Sequence, residues 1–279
     1  MKPSKDTSSK LLRMAHVHET ATIHPEAVIA QDVEIGPYTT IGKDVEIGRG
    51  TNIGPHVILE GKTTIGRNNS IYHGAVLGSC SDASGCRETE AGRLLIGDGN
   101  TIRENVIINA GHADRETVVG NGNFIMAYCH ISSNCQLGDD LIIGNAVHAG
   151  EGVVIEDRAV IAGLSTIKEA VRVGKIAMVG GHSQVDRDVP PYILVDGHQD
   201  LRIKVNIIGL RRNGFKPEMR KEIKRVYKIV YRSGRDMTQA VKKIKRVIDN
   251  SSSSCEEIRY FLDFLLDSQQ GIVRGIKNG

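Results

Sequence analysis

Tryptophan is absent from the 279 residues, and aromatic side chains are only 4% of the chain. A core built on large rings is excluded, so aliphatic side chains must carry the apolar load. The five cysteines (Cys80, Cys86, Cys129, Cys135, Cys255) include no C-x-x-C pair and no zinc-ligand spacing. They read as free thiols in a reducing compartment, and no metal site is expected. No apolar run approaches the roughly 18 residues that a membrane span needs. Residues 1–13 are polar and lack the apolar centre of a secretory signal. The reading is a disordered leader over 1–15, with Met14 as an alternative start, on a soluble cytoplasmic protein. Net charge is only +3 and no nucleic-acid motif occurs, so a nucleic-acid partner is not expected.

Glycine, by contrast, is abundant at 31 residues, and a period of six runs through the chain. From Val119 the aliphatic positions recur without a slip at Ile125, Ile131, Leu137, Ile143 and Ala149, and on to Val185. An α-helix needs a spacing near 3.6 and a half-buried strand a spacing of 2, so neither fits. Hexads fit a parallel β-helix in which each hexad is a short strand plus a turn, and three hexads close one triangular coil. An earlier run spans Ile23 to Leu77, often as Ile-Gly, and three more hexads start at Ile96, Ile102 and Ile108. Residues 78–93 and 109–118 interrupt the rhythm and read as loops thrown out at one edge, where solenoids place ligands. The turns are expected to use glycine for its tolerance of positive φ.

The solenoid is expected to end at Asp188-Val189-Pro190-Pro191-Tyr192, because consecutive prolines cannot continue a hydrogen-bond ladder. Beyond it the period changes. Pro217 opens a helix faced by Met219, Ile223, Val226, Tyr227 and Val230, and Gly234 closes it. Met237, Val241, Ile244, Val247 and Ile248 mark a second helix. Ser254 with Glu257 resembles a capping box before a third, faced by Ile258, Phe261, Leu262 and Leu265. The domain reading is 16–192 for the β-helix and 193–279 for the helical part. From Asp200 onward there are 19 Lys+Arg against 9 Asp+Glu, and the rest carries 17 against 24. A basic end on an acidic solenoid suggests an acidic partner.

The chain from about Ala15 onward resembles the UDP-N-acetylglucosamine acyltransferases of lipid A biosynthesis. The residues that carry the resemblance are the Asp188–Tyr192 closure, Val205–Phe215, Tyr227–Gly234, His24-Pro25, Ile71-Tyr72 and Ile96–Asn100. The resemblance implies a left-handed coil, a homotrimer, and active sites in clefts between subunits. It implies transfer of a 3-hydroxyacyl group from acyl carrier protein to the 3-hydroxyl of UDP-N-acetylglucosamine, with no metal and no bound cofactor. A hydroxyl is a weak nucleophile near neutral pH, so a general base must take its proton, and histidine is the usual choice.

The family's cleft motif reads roughly H-I-A-H-D, with the second histidine as base. Here it is His130-Ile131-Ser132-Ser133-Asn134, so serine stands at the catalytic position. Family histidines also align with Asn109, near Gly152 and with Lys168. In the helical signature Asn206 and Arg212 are retained, while Ile208 and Asn213 differ. His130 and His148 lie 18 residues apart, one coil, and are expected to stack about 4.8 Å apart as alternative bases. The loop at 109–118 leaves the register of His112 open. Ser133 as a nucleophile would need its own base.

Other positions follow from the resemblance. Gly181 matches the place where side-chain size limits acyl length, and it also reads as a turn glycine. Asp82 falls in the sugar-binding loop. Asn206 and Arg212 could contact the nucleotide or the carrier protein. Arg220, Lys221, Lys224, Arg225 and Lys228 could dock an acidic acyl carrier protein. The sugar's 3-amino analogue is an alternative acceptor, because a neutral amine needs less help from a base. A non-catalytic trimer that binds a nucleotide sugar or carrier protein, and a coenzyme-A-dependent sugar acetyltransferase using acyl-CoA, are the competing readings.

Overall fold

The computed structural model describes residues 16–80, 92–112, 115–198, 200–249 and 256–275. The leader, Asp82, Cys86, Cys255 and the Ser254 half of the capping box lie outside the described residues. Most strands are two residues long, running from β1 (His16–Val17) to β26 (Gln184–Val185), and they stack in parallel into the three faces of a prism. Successive rungs are offset by 18 residues, as at Asn121 and Asp139. The offset widens to 31 at Asn69 and Asn100, then to 23 at Asn100 and Asn123. Those two jumps are the two interruptions of the hexad rhythm, absorbed without loss of pairing.

The core is a column of aliphatic side chains along the coil axis. Ile35, Ile53, Ile71, Ile102, Ile125, Ile143 and Ile161 are all at most 3% exposed. A second inward column lies two residues before each of these positions, and the sixfold pattern of large aliphatics did not mark it. It includes Val33, Thr51, Asn69, Asn100, Asn123 and Leu141, each also at most 1% exposed. Its asparagines form a ladder that satisfies buried backbone groups. The Asn100 side chain donates to Gly120 O at 2.9 Å and accepts from the Asn123 N–H at 2.9 Å. The Asn123 side chain donates to Gly138 O at 3.0 Å and accepts from the Leu141 N–H at 2.8 Å.

Glycine takes positive φ at coil turns as expected, at Gly50, Gly74, Gly122 and Gly152 for example, and it has a second use. In the Ile-Gly pairs it avoids collision between coils: a Cβ at Gly48 would sit 2.5 Å from Gly66 O. Other positive-φ corners hold side chains, such as Asn134 at 64° and Leu164 at 60°. Each such residue costs about 1–2 kcal/mol locally, and the ladder hydrogen bonds on both sides of each corner hold it there.

After the two prolines, β27 (Ile193–Asp196) joins β25 (Met178–Val179) in parallel, and β28 (Arg202–Val205) folds back antiparallel on it. Helix α1 (Ile207–Arg212) was not marked by any hydrophobic period. The expected helices follow as α2 (Pro217–Tyr231), α3 (Met237–Asp249) and α4 (Glu256–Asp267). Their buried faces include the expected Ile223, Ile244 and Phe261. Helix α4 lies against the last coil, where the Tyr192 and Tyr260 hydroxyls bond Glu257 and Glu156. Cys129 and Cys135 are free and buried, whereas Cys80 is disulfide-bonded. That corrects the free-thiol expectation at Cys80, since spacing alone carries no information on cross-linking.

Candidate active site

Two imidazoles project from one face of the prism. Strand β14 (Ile107–Asn109) pairs with β17 (His130–Ile131), which pairs with β20 (His148–Ala149), so His130 and His148 are ladder partners. Their ring centroids are 5.1 Å apart at 54°, close to the spacing expected from one coil. His130 Nε2 lies 2.7 Å from Asn109 Oδ1. The Asn109 amide is fixed by donating to Ser79 Oγ at 3.0 Å and Ser79 O at 3.3 Å. Its oxygen therefore faces His130, and Nε2 must be the protonated nitrogen.

Burial, with a smaller contribution from His148, holds the His130 pKa below the ordinary imidazole value. The unfolded chain then binds a proton here before the folded chain does. The folded state accordingly loses stability as pH falls through the ordinary imidazole value, and the loss levels off below the lowered value. His130→Gln, which keeps an amide donor for Asn109, should flatten this acid-side loss. Denaturant midpoints at pH 7.5 and 5.5 for both proteins check it, and an unchanged pH dependence would contradict it.

A second cluster occupies the next corner of the same coils. Ser133 is only 1% exposed, and its carbonyl accepts from the Gly152 N–H at 3.0 Å. A hydroxyl so buried has no open approach to a substrate, which counts against Ser133 as a nucleophile. Asn134 is also buried, and its Nδ2 donates to Glu151 Oε1 at 2.9 Å. Its Oδ1 accepts the His112 N–H at 3.1 Å. His112 Nε2 lies 2.8 Å from the same Glu151 oxygen, and Arg115 Nη2 lies 3.5 Å from it. His112 thus crosses the Asn134 rung from below to reach a carboxylate above. The sequence reading left His112 unplaced and passed over Glu151. A signal existed: Glu151 stands 18 residues after Ser133, in unbroken register.

Other expected site residues are scattered. Asn206 is buried; its Oδ1 caps α1 by accepting from the Gly209 N–H at 2.9 Å, and its Nδ2 donates to Ile176 O at 2.8 Å. Its polar atoms thus hold the start of α1 against the last coils. Arg212 is exposed at the end of α1. Gly181 is exposed in a turn without positive φ, so the backbone does not require glycine there. On α2, Lys221, Lys224, Arg225 and Lys228 face solvent, while Arg220 is half-buried with its Nε unpartnered. A cleft of about 550 Å³ beside them is lined by Arg225, Lys228, Arg232, Arg235 and Lys243. Among the described residues no group of three His, Cys, Asp or Glu side chains could hold a metal ion. None of their helices is long and apolar enough to cross a membrane.

The profile described as "Udp N-acetylglucosamine O-acyltransferase; Domain 2" matches residues 188–273, and a bacterial transferase hexapeptide profile matches 116–148. A profile of the GMPPB C-terminal domain matches residues 17–122. The acyl-[acyl-carrier-protein]–UDP-N-acetylglucosamine O-acyltransferase of Halorhodospira halophila is 40% identical over 94% of this chain and 100% of its own length. The chain belongs to the UDP-N-acetylglucosamine O-acyltransferase family. The enzyme of that name from Herminiimonas arsenicoxydans is 37% identical with the same coverage. The crystal structure of the Francisella novicida UDP-N-acetylglucosamine acyltransferase superposes with a TM-score of 0.88 at 34% identity, covering 94% of this chain and 95% of that one. LpxA from Bacteroides fragilis gives 0.85 at 36%, covering 92% and 100%. Membership of the UDP-N-acetylglucosamine O-acyltransferase family sets the hand of the coil: the prism is a left-handed parallel β-helix with a C-terminal helical region.

Proposed function

We propose that this protein transfers an acyl group from an acyl carrier protein thioester to a UDP-amino sugar, with the 3-hydroxyl of UDP-N-acetylglucosamine as acceptor. The observation that carries this is the match to acyltransferases of that name along their whole length, at up to 40% identity among those cited. The acceptor oxygen attacks the thioester carbonyl, an O–C bond forms, the C–S bond breaks, and the hydroxyl proton ends on the leaving thiolate. A base must carry that proton. His130 and His148 line the adjoining face, where the His130 Nε2 proton is held by Asn109, so that nitrogen does not accept the hydroxyl proton.

The basic surface of α2 suits an acidic carrier protein. Arg212, exposed and able to make bidentate contacts, suits the diphosphate. A homotrimer, with clefts between copies, is favoured by the outward column Ile58, Val76, Ile107, which leads to His130 and His148 on one face. Ile58 and Ile107 remain 39% and 38% exposed in the single chain. The donor is carried on a protein and the acceptor is a charged sugar nucleotide, both water-soluble, and we place the reaction in the cytoplasm. Serine at the family's catalytic position favours one second reading, transfer to a 3-amino acceptor.

The docking surface gives a test. Lys221→Glu with Lys224→Glu and Lys228→Glu should raise KM for an acyl carrier protein thioester by about tenfold or more, since surface charges act mainly on encounter. The same acyl group on coenzyme A should be affected far less. Equal effects on both donors, or none on either, would contradict carrier docking on α2.

A further inference from the structure

We propose that His112, held by the Glu151 carboxylate, is the general base that takes the proton of the attacking acceptor hydroxyl. This rests on the acyl-transfer reading above and names the group that replaces the family's histidine at Ser133. Three observations carry it.

The first is position. Asn134, the immediate neighbour of Ser133, joins both members of the pair: its Oδ1 takes the His112 N–H and its Nδ2 binds Glu151. The imidazole therefore stands in the corner where the motif lacks its base. The second is tautomer. Nε2 lies 2.8 Å from an acceptor-only carboxylate, so it carries the proton. Nδ1 keeps its lone pair, and among the described residues no contact is recorded to it. A carboxylate on one nitrogen and a free lone pair on the other is the arrangement in which the carboxylate orients the ring and stabilises the imidazolium as it forms. His112 and Glu151 side chains are 38% and 45% exposed, so a substrate can reach them. His130, whose Nε2 proton goes to a neutral amide, has no such counter-charge.

The third observation is that the departure at 134 fits the pair. An aspartate at position 134 would set a second carboxylate against Glu151, whereas asparagine offers Nδ2 as a donor at 2.9 Å. Arg115 adds a cation 3.5 Å from the same oxygen. In the reaction, His112 Nδ1 takes the hydroxyl proton as the O–C bond forms. The tetrahedral intermediate then collapses with cleavage of the C–S bond, and the imidazolium returns the proton to the thiolate. Glu151 stays ionised throughout. It is a positioning residue, and His112 is the catalytic one.

The test compares wild type with His112→Gln, which keeps a donor for Glu151, on two acceptors: UDP-N-acetylglucosamine and its 3-amino analogue. Fold and sugar-nucleotide binding are followed by thermal melting and calorimetry. The expected result is a fall in kcat for ester formation of about 10²–10⁴, with KM for both substrates and sugar-nucleotide binding nearly unchanged. Amide formation should fall by less than about tenfold, because the amine needs little base assistance. Glu151→Gln should show the same pattern to a smaller degree. An unchanged ester rate in His112→Gln, or equal losses on both acceptors, overturns the assignment. Wild-type transfer to the amine alone overturns the base and leaves the acyl-transfer reading standing. No wild-type transfer to either acceptor overturns both.

Discussion

Gly181→Met shifts the preferred donor to shorter acyl chains and lowers kcat/KM on the chain favoured by wild type by about 100-fold, while the fold is unchanged. The size follows from the specificity of apolar pockets, where each methylene gained or lost is worth roughly 10–200-fold. The direction follows from the structure. Gly181 lies between β25 and β26, is exposed, and has no positive φ. A Cβ there would meet only Gly163 O at 3.4 Å, an ordinary contact. Nothing among the described residues needs glycine at this place, so a large effect of a side chain is expected to fall on what lies outside them. Gly48 is the contrast, since a Cβ there runs into the next coil at 2.5 Å. Rates on carrier-protein thioesters of graded length, with melting temperatures in parallel, give the answer. An unchanged length preference in a stable Gly181→Met protein would contradict the acyl-chain role.

Glu156→Ala costs about 3–5 kcal/mol of stability, the range found when one partner of a buried charge pair is removed. The side chain is only 14% exposed, and its carboxylate serves three groups. Arg172 donates to Oε1 through Nε at 2.6 Å, and its Nη2 approaches the same oxygen at 2.5 Å. The Lys175 backbone N–H donates to Oε2 at 2.8 Å, and the Tyr260 hydroxyl bonds the same oxygen. Arg172 also lies 4.4 Å over the Phe264 ring. Glu156 therefore ties the last coils to α4, and its loss leaves a guanidinium, an amide and a phenol unsatisfied at once. Glu156→Gln should restore part of the loss by keeping an acceptor for Lys175. Denaturant unfolding followed by circular dichroism measures it. A loss below about 1 kcal/mol would place Glu156 among ordinary surface ion pairs.

Much of the coil was legible because a period of six has one structural solution. Each aliphatic position from Val119 to Val185 was found on the axis, and the two rhythm breaks became jumps in rung offset. The second inward column was hidden because it mixes aliphatic Val and Leu with Thr, Asn, Cys and Ser, whose polar atoms are satisfied by hydrogen bonds, so hydropathy does not mark it. Helix α1 was hidden because six residues are too few for a period, and its start depends on the Asn206 cap. The ladder pair His130 and His148 was readable from an unbroken offset of 18. The pair His112 and Glu151 was not, because the rung offset changes between them. The structural task of Asn206 was not legible either: its side chain bonds Gly209 and Ile176, which are distant from each other in sequence.

The most direct test of the account is whether the wild-type protein makes an ester on the sugar hydroxyl itself. The protein is incubated with a carrier-protein thioester and UDP-N-acetylglucosamine, and the product is read by mass spectrometry before and after hydroxylamine. The account predicts an acylated sugar nucleotide that hydroxylamine cleaves. No acylated product with any chain length, from a protein that still binds the sugar nucleotide, would contradict it.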